Sequence, residues 1–533
     1  MKRYISLFLT GLILVVSACD SNFEEINTDP NKADGALFDP SLILPTAQKN
    51  YSNLTTGYTG AILFQSMWIQ ALASTSTGNA NYYSNGDKYV VSGSTNSYIQ
   101  SAWNVGYGNA SQLSQMQELA LTKNKPNLNH VGTIMKVLTL AYVTDIYGDI
   151  PYSEAFQATE GITRPTYDQQ SSLYPAMLAD LDAAITGLNA AQDAITNDVL
   201  YAGDLTKWKK FGYSLMLRMA MRLVDADATT AKTYVEKAVA GGVFASIADE
   251  AVLASDQTNG YSNSSANALN VVGDVYEVRW SKTMIDFLKS NNDPRLAVVA
   301  EVPPAGLINN RNGNISGDNT PALQTGLPNG YDLNGGSTDV SLEPNYPGPT
   351  GTGADATPLG NYSRPTAIYR DRDAPNFILT YAEVKFLMAE ALIRGYNVGG
   401  TSAQHYADGL SAAMSTIAKF NGGVVSAADA TAFVATNPLD TSSEAASLKM
   451  INEQIWATTS LLADFVEAWN NWKRSGYPVL TPVDYSGNFS QGMIPVRQPY
   501  PSSEASTNPD NLKNAISNMG GDTWVNSVWW DAN

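Results

Sequence analysis

The chain is poor in the residue types that most often do chemistry. It holds two histidines, His130 and His405, and a single cysteine, Cys19. A zinc site of His and Cys ligands therefore lacks donors. His130 precedes an apolar helical pattern and His405 lies inside one, both ordinary structural places for an imidazole. No Gly-x-Ser-x-Gly elbow, Walker loop or EF-hand loop occurs. Asp371 and Asp373 have the spacing to help hold calcium, but an exposed acidic pair needs no ion to explain it. Nothing in the pattern calls for a cofactor or a metal. Glycoside hydrolysis needs only two carboxylates, and Asp145, Asp149 and Glu154 cluster around Ile146-Tyr147-Gly148-Asp149-Ile150-Pro151-Tyr152. A helix end followed by a Gly-Asp turn accounts for the same residues. No catalytic residue is assigned, and a hydrolase remains the alternative.

Aromatic side chains are the other resource, at 10% of residues. Many stand in polar stretches beside Asn, Gln and Asp. A tyrosine or tryptophan face stacks on the apolar face of a sugar ring, while neighbouring amides and carboxylates direct hydrogen bonds. The candidates for a ligand face are Tyr82, Tyr83, Tyr89, Trp103, Tyr261, Tyr276 and Trp280. Loop tyrosines also pin loops to a protein body, and Trp103 opens a helical pattern with Tyr107 that fits a core equally well. A purely structural or adhesive surface protein is the third reading.

The elements that must position these residues are helical. Leu173, Met177, Leu178, Leu181, Ile185 and Leu188 recur at spacings of three and four, one buried helix face. Leu205, Trp208, Phe211, Leu215 and Met219 repeat the pattern behind Asp204 as N-cap. Thr380 to Glu383 reads as a capping box, with the Glu reaching back to the N-cap amide, and Gly395 is placed to end that helix. Tyr406, Leu410, Ala413, Ile417 and Phe420 form another stripe, closed by Gly422. A long helical stretch is predicted over Ala446 to Arg474. The expected class is all-α, a solenoid or bundle of helix pairs, without a regular 34-residue period. Three stretches interrupt it: Gly78 to Ser97, Asp256 to Trp280, and Pro303 to Pro365, the last dense in Gly, Pro and Asn with Tyr331, Tyr346 and Tyr362. A loop that long is usually functional or disordered.

Charge and the N-terminus set the location. With 32 basic and 50 acidic residues the chain carries −18, a field that repels phosphate backbones, so nucleic acid is not an expected partner. Lys2 and Arg3 precede an apolar run from Tyr4 to Val16, too short to span a bilayer. Val16-Ser17-Ala18-Cys19 follows, so residues 1–18 read as a secretory signal ending in a lipobox, with Cys19 as the lipidated residue. Acyl chains contribute about 0.8 kcal/mol per buried methylene, and two or more hold a soluble domain at a membrane. Residues 19–34 read as a polar tether, and contact with the membrane is expected through the anchor only. Residues 35–533 are expected to form one helical domain carrying the loop-rich insertion at about 303–365.

The ordered set of short motifs is similar to the SusD/RagB family of nutrient-binding outer-membrane lipoproteins, in its SusD-like branch. The motifs are Asn27-Thr28-Asp29-Pro30-Asn31, Ile146 to Glu154, Trp208 to Arg222, Asp293-Pro294-Arg295-Leu296 and Thr380-Tyr381-Ala382-Glu383. Later come Glu467-Ala468-Trp469, Arg474-Ser475-Gly476-Tyr477-Pro478, Ile494-Pro495-Val496-Arg497, Tyr500-Pro501, Glu504, Asn508 and Val528-Trp529-Trp530-Asp531. The resemblance implies a SusD-like fold with four tetratricopeptide-like helix pairs and a loop-rich ligand region. It also implies a lid-like role on a SusC-like TonB-dependent transporter of the outer membrane, and a non-catalytic function in binding glycan, or peptide in some members. Its motifs shape the scaffold, and ligand residues are expected in the loops.

Overall fold

A computed structural model of the chain describes residues 38–76 and 83–531. Cys19, the tether and Tyr82 lie outside the described residues. About 53% of the chain is helical, in 20 helices among the described residues. The principal ones are α1 (Ile43–Thr55), α2 (Thr95–Thr122), α3 (Pro126–Tyr147), α4 (Gln170–Gly187) and α5 (Leu205–Arg222). They continue with α6 (Ala228–Gly241), α7 (Tyr381–Ile393), α8 (Ser402–Thr416), α9 (Glu444–Leu461) and α10 (Phe465–Ser475). Helices adjacent in sequence pack on one another throughout: α2 on α3, α5 on α6, α7 on α8, α9 on α10. This is the helix-pair architecture expected from the stripes.

The predicted stripes are the buried faces. Leu173, Met177, Leu178, Leu181, Ile185 and Leu188 on and just after α4 are all 2% exposed or less, each contributing about 1.5–3 kcal/mol on burial. Asp204 caps α5, its carboxylate accepting from the amides of Thr206 at 2.8 Å and Lys207 at 3.1 Å. At α7 half of the expected capping box forms. The Thr380 hydroxyl accepts from the Glu383 amide at 3.3 Å, but the Glu383 side chain turns away from its own helix and pairs with Arg218 of α5 in the core. The single helix expected over Ala446 to Arg474 is two. Ala463 takes φ +61° and Asp464 caps α10 by accepting from the Glu467 amide, so the chain turns between α9 and α10.

Among the described residues six short strands tie remote segments together in three antiparallel pairs. β1 (Leu72–Ser74) pairs with β3 (Val278–Trp280), with Leu72 opposite Trp280. β2 (Ala251–Leu253) pairs with β6 (Asn376–Leu379). β4 (Ala300–Glu301) pairs with β5 (Arg364–Pro365). That last rung closes the base of the Pro303–Pro365 excursion, and the Trp280 amide donates to Ser363 beside it at 3.0 Å. The excursion is folded. Leu327, Val340, Leu359 and Tyr362 form a small core of their own on Ala73 of β1. The main core runs unbroken from Leu44 to Trp530.

Candidate ligand-binding site

The loop-rich region presents its aromatics around this small core. Tyr276, Tyr331 and Tyr346 are half-buried and pack against it. The Tyr276 hydroxyl meets the Thr357 hydroxyl at 3.0 Å, and the Tyr346 hydroxyl donates to the Pro358 carbonyl at 3.2 Å. Tyr276 and Tyr346 are thus each held at the hydroxyl edge, while all three tyrosines keep part of their surface to solvent. Beside Tyr331 opens a cleft of about 460 Å³, lined also by Gln70, Lys282, Asp286, Asn329, Thr338 and Asp484. Its floor is fixed by β1 and its neighbours. The Asn329 amide donates to the Leu72 carbonyl at 2.9 Å and to Asp87 at 2.7 Å, and the Gln70 amide donates to the Thr481 carbonyl. One aromatic wall with a rim of amides, hydroxyls and charged groups is the chemistry a saccharide ring needs.

The residues singled out from sequence divide sharply. Tyr276 lies on this face. Tyr261 is 52% exposed, in a turn paired with the Asp256 backbone, its ring near Lys49 of α1. The other four described candidates are buried, which corrects the expectation that they offer stacking faces. Trp280 is 1% exposed, its indole donating to the Val299 carbonyl at 2.8 Å and its ring edge-on to Tyr369. Trp103 packs among Tyr107, Tyr147, Tyr167 and Tyr500 in an aromatic core. The Tyr83 hydroxyl donates to Asp274, which also accepts from Tyr58 at 2.8 Å; burial holds that carboxyl above the usual range. Tyr89 is fully buried against Phe489. Tyr331 and Tyr346, seen in sequence only as members of a long loop, are the rings that reach the surface with Tyr276.

The candidate hydrolytic carboxylates serve the scaffold. Asp145 is buried, accepting from the hydroxyl of Tyr174, the indole of Trp530 at 3.0 Å and Asn470 at 3.2 Å. Asp149 accepts from the Gln170 amide at 2.9 Å, and burial pushes its carboxyl up to about 6. Glu154 accepts from the amide and hydroxyl of Thr166. Gly148, at φ +91°, ends α3 as a turn that a Cβ would drive into Met519. Asp373 accepts from the Gln257 amide and Asp371 from the Asp373 amide. Among the described residues no three His, Cys, Asp or Glu side chains converge on a metal position, and no helix is long and apolar enough to cross a membrane.

A SusD-like family profile, described as starch-binding and associating with the outer membrane, matches residues 30–501. The chain belongs to the SusD-like family. Among solved structures it is similar to a chitin-binding protein at 28% identity, with a TM-score of 0.76 over 93% of this chain and 100% of that one. A Bacteroidetes SusD-like protein gives 24% identity and a TM-score of 0.77, again over 93% and 100%. A chitin-binding SusD homolog from Flavobacterium johnsoniae gives 23% and 0.71, over 93% and 99%. No curated protein sequence matches the chain.

In this SusD-like chain the motifs that carried the resemblance are long-range ties. Arg295 grips Asp293 and reaches Gln454 and Thr458 of α9. Arg222 of α5 forks onto Glu467 of α10, and Arg474 of α10 forks onto Glu390 of α7. Arg497 donates to the Tyr147 carbonyl at the end of α3. Such buried charges persist because each guanidinium finds a carboxylate or carbonyls.

Proposed function

We propose that the chain is a non-catalytic glycan-binding lipoprotein of the outer-membrane surface, anchored through Cys19, that delivers its ligand to a SusC-like TonB-dependent transporter. Residues 1–18 are the signal, 19–34 the lipidated residue and tether, and 35–533 the binding domain. The observation that carries the reading is the set of half-exposed tyrosines, Tyr276, Tyr331 and Tyr346, around one small core, with Tyr331 lining the polar cleft of about 460 Å³. Two solved relatives are named for binding chitin, and the family description names starch, which supports a saccharide before a peptide. Asp145, Asp149 and Glu154 are each engaged by scaffold groups, which supports binding over hydrolysis at these residues.

The test is calorimetry of the protein without residues 1–19 against a panel of glycans and peptides, with product analysis of each mixture. Saturable binding without products is expected. Tyr331→Ala and Tyr346→Ala lower affinity together; a stacking ring that is a hot spot is worth upwards of about 2 kcal/mol, roughly thirtyfold in Kd. Product formation lost on Asp149→Asn would return the hydrolase. Absence of any binding would return the structural reading.

A further inference from the structure

The ligand face sits above a concentration of positive charge in an otherwise acidic protein. Arg279, Arg364 and Arg370 are buried side by side at the base of the loop region, and among the described residues Glu301 is the one carboxylate they ion-pair with. Arg279 is fully buried. Its guanidinium donates to the carbonyls of Val275 and Val278, both at 2.9 Å, and to the Asn310 side-chain oxygen at 3.0 Å, with no carboxylate in ion-pair reach among the described residues. Burial, and then repulsion from Arg364, push it down to about 9, so it stays charged at neutral pH. Arg364 donates to the carbonyls of Asn310, Asn312 and Ile315. These guanidiniums rivet the segment 310–315, which carries Arg311.

Arg311 is exposed. Its guanidinium lies over the Tyr276 ring, 5.2 Å from the centroid, and it forms no ion pair among the described residues. Among the described residues no carboxylate pairs with it: Asp274 accepts from Tyr58 and Tyr83, Glu277 from Ser76 at 2.8 Å, and Asp355 from the Ile308 amide at 2.8 Å. The contact with Tyr276 holds the guanidinium over the ring, and its fork of donors meets no carboxylate among the described residues. A planar, always-charged fork on a fixed platform matches a carboxylate in two parallel hydrogen bonds.

We infer that Arg311 is the anion-recognition residue of the ligand face, and that the site prefers an acidic oligosaccharide, with the carboxylate of a uronic acid on Arg311 and a neighbouring sugar ring on the exposed tyrosines. The inference rests on the glycan-binding reading above. Arg279 and Arg364 act as positioning residues: their hydrogen bonds to Asn310, Asn312 and Ile315 fix the segment that carries Arg311.

The probes are a galacturonate trisaccharide, its methyl ester, and neutral maltose- and chitin-derived oligosaccharides, titrated calorimetrically into the protein. The acid binds about tenfold or more tighter than its ester, the scale of a charge-assisted hydrogen bond. In Arg311→Gln that ratio falls to near one, and Arg311→Lys keeps part of it, because charge remains without the fork. Arg311 is on the surface, so both variants fold, as circular dichroism checks. Equal affinity for acid and ester in the native protein, or an unchanged ratio in Arg311→Gln, overturns the inference. Binding confined to neutral oligosaccharides overturns it while leaving the glycan-binding reading in place; binding of no saccharide overturns both.

Discussion

Glu390→Gln removes the carboxylate that joins α7 to α10, and its cost follows from the geometry. Glu390 is fully buried. Its oxygens accept from both Arg474 terminal nitrogens, at 2.6 and 2.8 Å, and from Arg394 Nε at 2.8 Å. Burial alone would raise this carboxyl; the charge and hydrogen bonds of Arg474, then of Arg394, overcome it and bring the group from 4.5 down to about 2. A carboxyl with a depressed folded-state pKa stabilises the fold above its unfolded value and loses that contribution as pH falls. The drop corresponds to about 3 kcal/mol, present above about pH 4.5 and withdrawn between there and about pH 2. The substitution also takes the countercharge from Arg474 and turns one of its two acceptors into an NH2 group, leaving the guanidinium with one amide oxygen there, with Asn452 at 2.9 Å and with Asn471 at 2.7 Å. Breaking a buried pair from one side costs about 3–5 kcal/mol. Urea unfolding of native and variant proteins is the assay, at neutral pH and stepwise into acid. The stability gap is expected to be several kcal/mol at neutral pH and to narrow below about pH 4.5. Glu390→Leu with Arg474→Met is expected to be more stable than either single change, since the buried Arg474 charge is then gone and Arg394 keeps Asp225 at 3.1 Å. A neutral-pH gap under about 1 kcal/mol, or one that does not change with acid, would refute the reasoning.

Three further outcomes are expected. Trp280→Ala lowers stability by about 3–5 kcal/mol, read as a drop in urea midpoint; an unchanged midpoint with lost glycan affinity would restore Trp280 as a ligand residue. Cys19→Ala moves the protein from the membrane fraction to the soluble one, and unaltered partitioning would rule out the anchor. Gentle purification of the native lipoprotein from its outer membrane recovers a TonB-dependent β-barrel with it; repeated recovery alone, together with normal nutrient uptake after deletion, would rule out the transporter reading.

The face of each helix was legible in the chain because a stripe at three- and four-residue spacing is a local property. The α4 residues from Leu173 to Leu188, the Asp204 cap and the Gly148 turn needed no knowledge of their neighbours. The family was legible too, through the order of its motifs, although their purpose was not. Arg474, Arg295 and Glu467 are ties between helices far apart in sequence. Glu383 shows the limit of local reasoning. A capping box predicts that it turns back to its own N-terminus, but a guanidinium from α5 offers a charged partner in the low-dielectric core and wins.

Exposure of the aromatics was decided only in three dimensions. Tyr83, Tyr89 and Trp280 sit in polar sequence, yet β1–β3 pairing and the packing of the 489 and 369 segments seal them. Tyr331 and Tyr346 sit in a similar sequence and remain half open, because the small core of Leu327, Val340, Leu359 and Tyr362 beneath them is too small to bury their rings on both sides. Composition determines how many aromatic rings a chain must place. Which of them keeps a face to the solvent depends on tertiary contacts, some as remote as Tyr89 with Phe489 and Tyr83 with Asp274, and no local pattern encodes those contacts.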